Sequence, residues 1–420
     1  MGPWRDAEVG GDLPGACEHP RLRAVEAFPA VVEGREVICL RDPAGLTDAI
    51  LVVPRRLLPV LALFDGGHSL LDIQAAVMRR SGELLYRDGL AELVETLDRQ
   101  LFLEGPRLEG ERARLEAAFR AGPTRPPLHA GKAYAGDPQG LRAQLEACFT
   151  HADGPGLPGP ATAGRLRAVI APHIDLHRGG PAYAWTYRAV AEAAEAECFI
   201  IFGTAHAGMP HPFAVTPKTY DTPLGPLPVD REFIETLGHR YGGDLLGSEF
   251  AHRAEHSIEF QAVFLRYLFG EREIRCVPIL ASFLHECLQA GKDPEADPGI
   301  AGFFEALAET MATLPRRYCL IAGADLAHVG PRFGDPEPVS QARLREVAAE
   351  DRAMLAHVER ADARGFFESV ARDGDRRRIC GLSPIYTLLR VAAPRAGRLL
   401  AYRQWPDPQG TVTFASLVFE

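Results

Sequence analysis

The chain has 420 residues, 46% of them hydrophobic and 24% charged, which is the make-up of a folded globular protein and not of a disordered or fibrous one. That length exceeds what one compact core usually serves, so two domains, or one large domain with an appendage, are expected. A formal net charge of −10 argues against a nucleic-acid surface, which normally shows a basic excess on at least one face.

Residues 1–22 are rich in Gly, Pro and acids without periodicity, and the pattern predicts a mobile leader with order beginning near Arg23. Asp6 stands where a myristoylation signal needs Ser or Thr, and no basic stretch precedes an apolar run, so neither a lipid anchor nor export is expected. Apolar runs such as 198–202 are too short to span a bilayer. The eight cysteines (Cys17, Cys39, Cys148, Cys198, Cys276, Cys287, Cys319 and Cys380) form no CxxC pair. Reduced thiols in a cytoplasmic protein fit that spacing better than a zinc knuckle or a disulfide framework.

From 36 to 104 the pattern predicts a strand at 36–40, a second at 51–53 and two helices. The later helix, 87–100, sets Leu90, Leu93, Val94, Leu97 and Leu101 along one face. The earlier one follows the turn "LFDGGHSLLDI", with Ser69 as its N-cap and Leu70, Ile73 and Val77 directed inward. This turn and helix resemble the PqqD-like winged-helix domains that bind leader peptides beside radical-SAM enzymes. The resemblance covers 23–104 and implies a peptide partner, held by addition of a strand to an exposed sheet edge. Residues 105–126 combine a charged helical stretch, 111–120, with the breaker that starts at Gly122 and Pro123, and are expected to be a linker.

Beyond 127, apolar strand-like runs at 167–171, 198–202, 275–280 and 318–322 alternate with helical stretches after Gly180, Asp230 and Gly299. Buried strands alternating with helices predict an α/β domain with a mixed or parallel sheet flanked by helices. The three arginines Arg376, Arg377 and Arg378 read as a solvated turn or helix end.

The chemistry-bearing residues cluster where strands end, the edge at which open α/β sheets build their sites. The first strand runs into "APHIDLHRGG", which carries His173, Asp175 and His177; the second into "GTAH", with His206; the last into "GADLAHVG", with Asp325 and His328. A further segment, "EHSIEFQ", opens a helix with His256 at or beside the N-cap. There it serves as a neutral base or ligand, or only as a cap. "CGLSPI" holds Cys380 at a turn into a helix, where the thiol is a buried structural group or lines the pocket.

Those segments, together with "YDTPLGPLPVD" and the opening "HAGKAYAGDPQGLRAQLEACF", resemble the Memo family in the same order from about 127 to 420. Bacterial members of that family are called AmmeMemoRadiSam system protein B. The resemblance implies a fold like that of the class III extradiol dioxygenases, whose non-haem iron is held by two histidines and a third ligand. It places His173 and His206 in the two metal-histidine positions and His256 as an acid or base beside the metal. The third ligand position, a cysteine in animal relatives, falls on Ala327, which cannot ligate. Asp325 or His328 is left to supply the third donor, with Fe(II) or another divalent metal as cofactor. Asp175, His177 and Glu259 are candidates to orient the ligands. The implied partners are a radical-SAM enzyme and the other AmmeMemoRadiSam component. A pocket that has lost turnover and serves as a peptide-binding scaffold, or a metal hydrolase using the same histidines, remain open beside the dioxygenase reading.

Overall fold

The computed structural model describes residues 17–82, 84–161, 166–193, 195–270 and 272–420. The chain divides into two compact units, 1–118 and 119–420. Most of the expected leader lies outside the described residues, but 17–22 belong to the smaller unit. The Leu22 amide donates to the Phe64 carbonyl at 2.8 Å and the Leu70 amide to the Glu18 carbonyl at 3.0 Å.

The smaller unit opens with an antiparallel meander, β1 (Glu26–Val32), β2 (Arg35–Arg41) and β3 (Ile50–Pro54). It continues through α1 (Leu58–Leu61), α2 (Leu70–Ser81) and α3 (Arg87–Arg99). Ser69 caps α2 in a reciprocal capping box with Asp72. Leu40, Val53, Ile73, Leu90, Val94, Leu97 and Phe102 share one core. Strand β1 was not expected, because Pro29 interrupts its reading. As a strand paired, among the described residues, only with β2, it tolerates the missing N–H.

Residues 105–126 are not an open linker. Helix α4 (Pro106–Ala121) occupies most of them, and β4 (Thr124–Arg125) pairs in parallel with a strand of the larger unit. The Arg125 side chain is wholly buried. The Gly122 carbonyl, expected in a mobile stretch, accepts from Lys218 Nζ at 2.6 Å.

The larger unit continues α5 (Pro138–Thr150), β5 (Ala168–Ala171), α6 (Leu176–Ala193), β6 (Cys198–Thr204), β7 (Phe213–Val215), β8 (Thr219–Tyr220) and α7 (Arg231–Tyr241). Then come α8 (His256–Phe269), β9 (Arg275–Ala281), α9 (Leu284–Ala290), α10 (Pro298–Thr313), β10 (Tyr318–Gly323) and β11 (Asp325–Val329). The chain ends with α11 (Gln341–Glu359), α12 (Ala363–Ala371), α13 (Leu382–Ala392), β12 (Gly397–Trp405) and β13 (Thr411–Phe419). The main sheet runs β11-β13-β5-β10-β6-β9-β7, with β12 added to β13. Its centre, β5, β10, β6 and β9, is parallel, while β13, β11, β12 and β7 are antiparallel to their neighbours. The unit is thus a mixed α/β sheet flanked by helices. Every residue of β6 is buried, which is why that strand shows an apolar run instead of alternation.

Helix α8 packs closely against β6 and β10, and two glycines permit it. A Cβ on Gly203 would lie 2.5 Å from Ser257 Oγ, and one on Gly323 would lie 2.5 Å from the Ser257 carbonyl oxygen. Backbone cannot yield as a flexible side chain does. Gly323→Ala is therefore expected to destabilise the protein by roughly 1–3 kcal/mol, seen as a lower urea midpoint at unchanged m-value.

The arginine triplet departs from expectation as well. Arg377 is 2% exposed and its Nη1 lies 2.5 Å from Asp351 Oδ1, so the run is an anchored loop and only in part a solvated one.

Candidate metal centre

Strands β5 and β6 deliver His173 and His206 just past their ends, but they are not adjacent: β10 lies between them. Their convergence therefore does not come from neighbouring strands. Strand β10 ends between them at Gly323, whose carbonyl engages the His173 ring. His173 Nδ1 lies 2.9 Å from that carbonyl. The two ring centroids are 4.8 Å apart. His256, the first residue of α8, places its ring 4.5 Å from that of His206 and 5.3 Å from that of His173. One nitrogen from each of the three imidazoles lies within 4.8 Å of the others.

The partners set the tautomers. A carbonyl can only accept, so His173 carries its proton on Nδ1 and leaves the Nε2 lone pair for the site. His206 Nδ1 lies 2.9 Å from Glu255 Oε1, and its backbone amide donates to Glu255 Oε2 at 2.9 Å. His256 Nδ1 lies 3.3 Å from the same Oε1. Glu255 is also the N-cap of α8, accepting from the Ser257 amide at 2.9 Å. One carboxylate thus orients two imidazoles, the arrangement that commonly backs metal-binding histidines. Burial alone would push the Glu255 carboxyl up. The His206 and His256 rings and the hydrogen bonds from His206 outweigh it and hold the group well below the usual carboxylate range.

The cluster is sealed beneath and open above. The His173 side chain is 2% exposed, whereas those of His206 and His256 are 30% and 29% exposed. Burial lowers His173 to about 3 and His256 well below its ordinary value, with the charge of neighbouring imidazoles adding to the effect. Three imidazole nitrogens this close together suit a divalent transition metal, so the donor set fits one.

Cys380 brings sulfur to the same place, its Sγ 3.1 Å from His173 Nε2. Of the two readings left open for this thiol, structural or pocket-lining, the contact supports the second. Ala327 is buried with Val329 and Val347, and its amide donates to Thr413 Oγ1 at 2.9 Å. Asp325 accepts from the His173 amide at 2.9 Å, and its Oδ2 lies 3.7 Å from His173 Nε2. It sits beside the three-imidazole group and is not one of its members. Burial raises its carboxyl to about 6 despite the pull of His328. His328, expected on a loop, lies in β11, with Nδ1 3.0 Å from the Leu326 carbonyl.

Three expected orienting residues are elsewhere. Asp175 pairs with Arg178 at 2.6 Å. His177 is exposed, its ring 6.0 Å from that of Trp405. Glu259, one turn along α8 from Glu255, is ion-paired with Arg125 and accepts from Tyr134 and from the His129 amide. Sequence reasoning missed Glu255 because Glu is not a favoured N-cap residue, and His256 beside it drew the capping role instead. His129, inside a quoted segment but not singled out, places its ring 5.7 Å from that of His256.

Buried neutral histidines make stability depend on pH. Folded-state values of about 3 for His173 and His252 and about 4 for His328 lie below the ordinary 6.5, so below that value the unfolded chain binds more protons. The stability these rings contribute is present above about pH 6.5 and is lost as pH falls toward 3–4, by about 1.4 kcal/mol per pH unit for each proton. Asp325, raised to about 6, works in the opposite direction and offsets part of the loss. Urea midpoints of metal-free protein should fall from pH 7 to pH 5; equal midpoints would contradict neutral burial.

The chain matches the family described as Memo-like protein over residues 125–417. It is 34% identical over 311 residues to a MEMO1 family protein of Methanopyrus kandleri, covering 70% of this chain and 98% of that one. With a MEMO1 family protein of Aquifex aeolicus it shares 29% identity over 387 residues, 90% of this chain and 95% of the relative. That span is too long for residues 119–420 alone, so this likeness extends into the smaller unit. Among the described residues no helix is long and apolar enough to cross a membrane.

Proposed function

The chain belongs to the Memo family, and from that premise we propose that it is a metal-dependent oxidoreductase of the non-haem, dioxygenase-like kind. The observation that carries the reading is the group of three imidazoles with nitrogens within 4.8 Å of one another, backed by one carboxylate and open to solvent on one side. His173 and His206 would hold the cation through the ring nitrogens opposite those that face Gly323 and Glu255, with the third donor from His256 or from the Cys380 thiol. Fe(II) held there would supply open coordination positions for substrate and dioxygen.

The surrounding residues have defined tasks in that reading. Glu255 fixes the tautomer of His206 and orients His256. His256, if not itself a ligand, is placed to exchange a proton with a bound substrate from the exposed side. Asp325, titrating near neutrality, is a second proton store beneath the site. The reading extends to action beside a radical-SAM enzyme and a further AmmeMemoRadiSam component. For a peptide partner, β1 and β3 each pair on one side only among the described residues and so offer free edges.

The test is anaerobic titration with Fe(II), followed by oxygen-electrode measurements with catechol-type probes. Stoichiometric uptake with oxygen consumption is expected. No uptake of any divalent metal would overturn the reading; uptake with hydrolysis of ester probes and no oxygen use would assign the hydrolase alternative instead.

A further inference from the structure

Asp325 and His328 stand three residues apart, a spacing that in an unbroken strand points side chains to opposite faces. Strand β11 is not unbroken: Asp325 pairs with Phe414 and His328 with Val412, three steps against two. The extra residue makes a bulge, which bends the strand and re-aims its side chains. Asp325 and His328 consequently become charge neighbours on the site side.

The bulge is held from outside. The Ala327 amide donates to Thr413 Oγ1 at 2.9 Å, and the same hydroxyl donates to Asp351 Oδ2 at 2.6 Å. Asp351, wholly buried on α11, also accepts from Tyr402 at 2.9 Å and from Arg377 Nη1 at 2.5 Å. Arg377 belongs to the loop that lies along the other side of β11. There the His328 amide donates to the Arg377 carbonyl at 2.7 Å and the Gly381 amide to the Asp325 carbonyl at 3.1 Å. Cys380 sits between those two bonds. Asp375 and Arg378 in this loop adopt positive φ of 54° and 52°, which surrounding contacts must enforce.

We propose that Asp351 and Thr413 are positioning residues for the imidazole centre. They lock the β11 bulge and the arginine loop together, so that Asp325, His328 and Cys380 face His173. The inference rests on the reading of that centre as a metal site, and its test therefore has one arm that needs no metal.

In a Cys17→Ser background, Thr413→Val removes the shared hydroxyl at nearly constant shape, while Thr413→Ser keeps it. Thr413→Val should raise the Co(II) dissociation constant by on the order of tenfold, as loss of a group orienting a metal site does. It should also speed iodoacetamide alkylation of Cys380, read on its peptide by mass spectrometry well below the melting transition. Thr413→Ser should restore both. If Thr413→Val does not fold, Tyr402→Phe removes one bond to Asp351 and should shift both readouts the same way by less. A lowered melting temperature with Co(II) affinity and alkylation rate unchanged would mean a structural role only and overturn the proposal. If the parent binds no Co(II), the metal reading falls and the alkylation rate alone decides this one.

Discussion

Replacing His206 by alanine should weaken Co(II) or Fe(II) binding by on the order of 10²-fold or more, and replacing His173 should do the same. Removing only a partner that orients a metal-binding histidine typically costs 10–100-fold, so removing the imidazole itself should cost at least that. Glu255→Gln supplies the comparison within the same molecule: a 10–100-fold loss with all three imidazoles still present. His256→Ala and Cys380→Ser then identify the third donor. The one that lowers affinity as far as His206→Ala is the ligand. If His256 is the other, its loss should spare binding and reduce turnover by roughly 10²–10⁴-fold, as for a general acid or base. A sulfur-to-metal charge-transfer band in the Co(II) protein that disappears in Cys380→Ser would assign the thiol. Titration calorimetry on the metal-free variants is the decisive measurement, and unchanged affinity in both His173→Ala and His206→Ala would remove the site altogether.

Arg125→Ala should be the most destabilising single change in the larger unit, by about 3–5 kcal/mol, the usual cost of leaving a buried charge without its partner. Both Arg125 and Glu259 are wholly buried. The guanidinium also donates to the carbonyls of His252 at 3.0 Å, Pro126 at 2.9 Å and Glu255 at 2.7 Å, and lies over the Tyr220 ring. Because the bond to the Glu255 carbonyl reaches the residue before His256, the variant should loosen the imidazole cluster as well as the fold. A double variant, Arg125→Met with Glu259→Gln, should recover part of the stability by removing both charges. The same geometry predicts that a fragment beginning at 127 is far less stable than one beginning at 119. Urea unfolding of the two fragments checks this; equal midpoints would show that Arg125 contributes nothing.

Much of the architecture was legible because it depends on patterns that buried surface imposes locally. The apolar runs at 198–202 and 318–322 become β6 and β10, and the stripe through Leu90, Val94 and Leu97 becomes the inner face of α3. Strand β1 was hidden by Pro29. Helix α4 was only half seen, because its charged residues show little amphipathic pattern. The burial of Arg125 and Arg377 was hidden for another reason: an Arg inside a proline-rich breaker, or within a basic run, looks solvated. Only a distant carboxylate, Glu259 for one and Asp351 for the other, makes burial affordable.

The sequence by itself determined that the chain is a mixed α/β protein of the Memo type, and that His173, His206 and His256 stand at strand or helix ends, because strand-end histidines and their flanking turns are local features. Which donors meet was decided by the tertiary structure. Gly323 lets α8 pack close and offers its carbonyl to the His173 ring, Glu255 holds two imidazoles with one carboxylate, and the bulge in β11 turns Asp325 inward with His328. Cys380, more than fifty residues further along the chain, arrives where Ala327 cannot serve. Those juxtapositions arise from strand order, register and the docking of α8, none of which is written in any one segment.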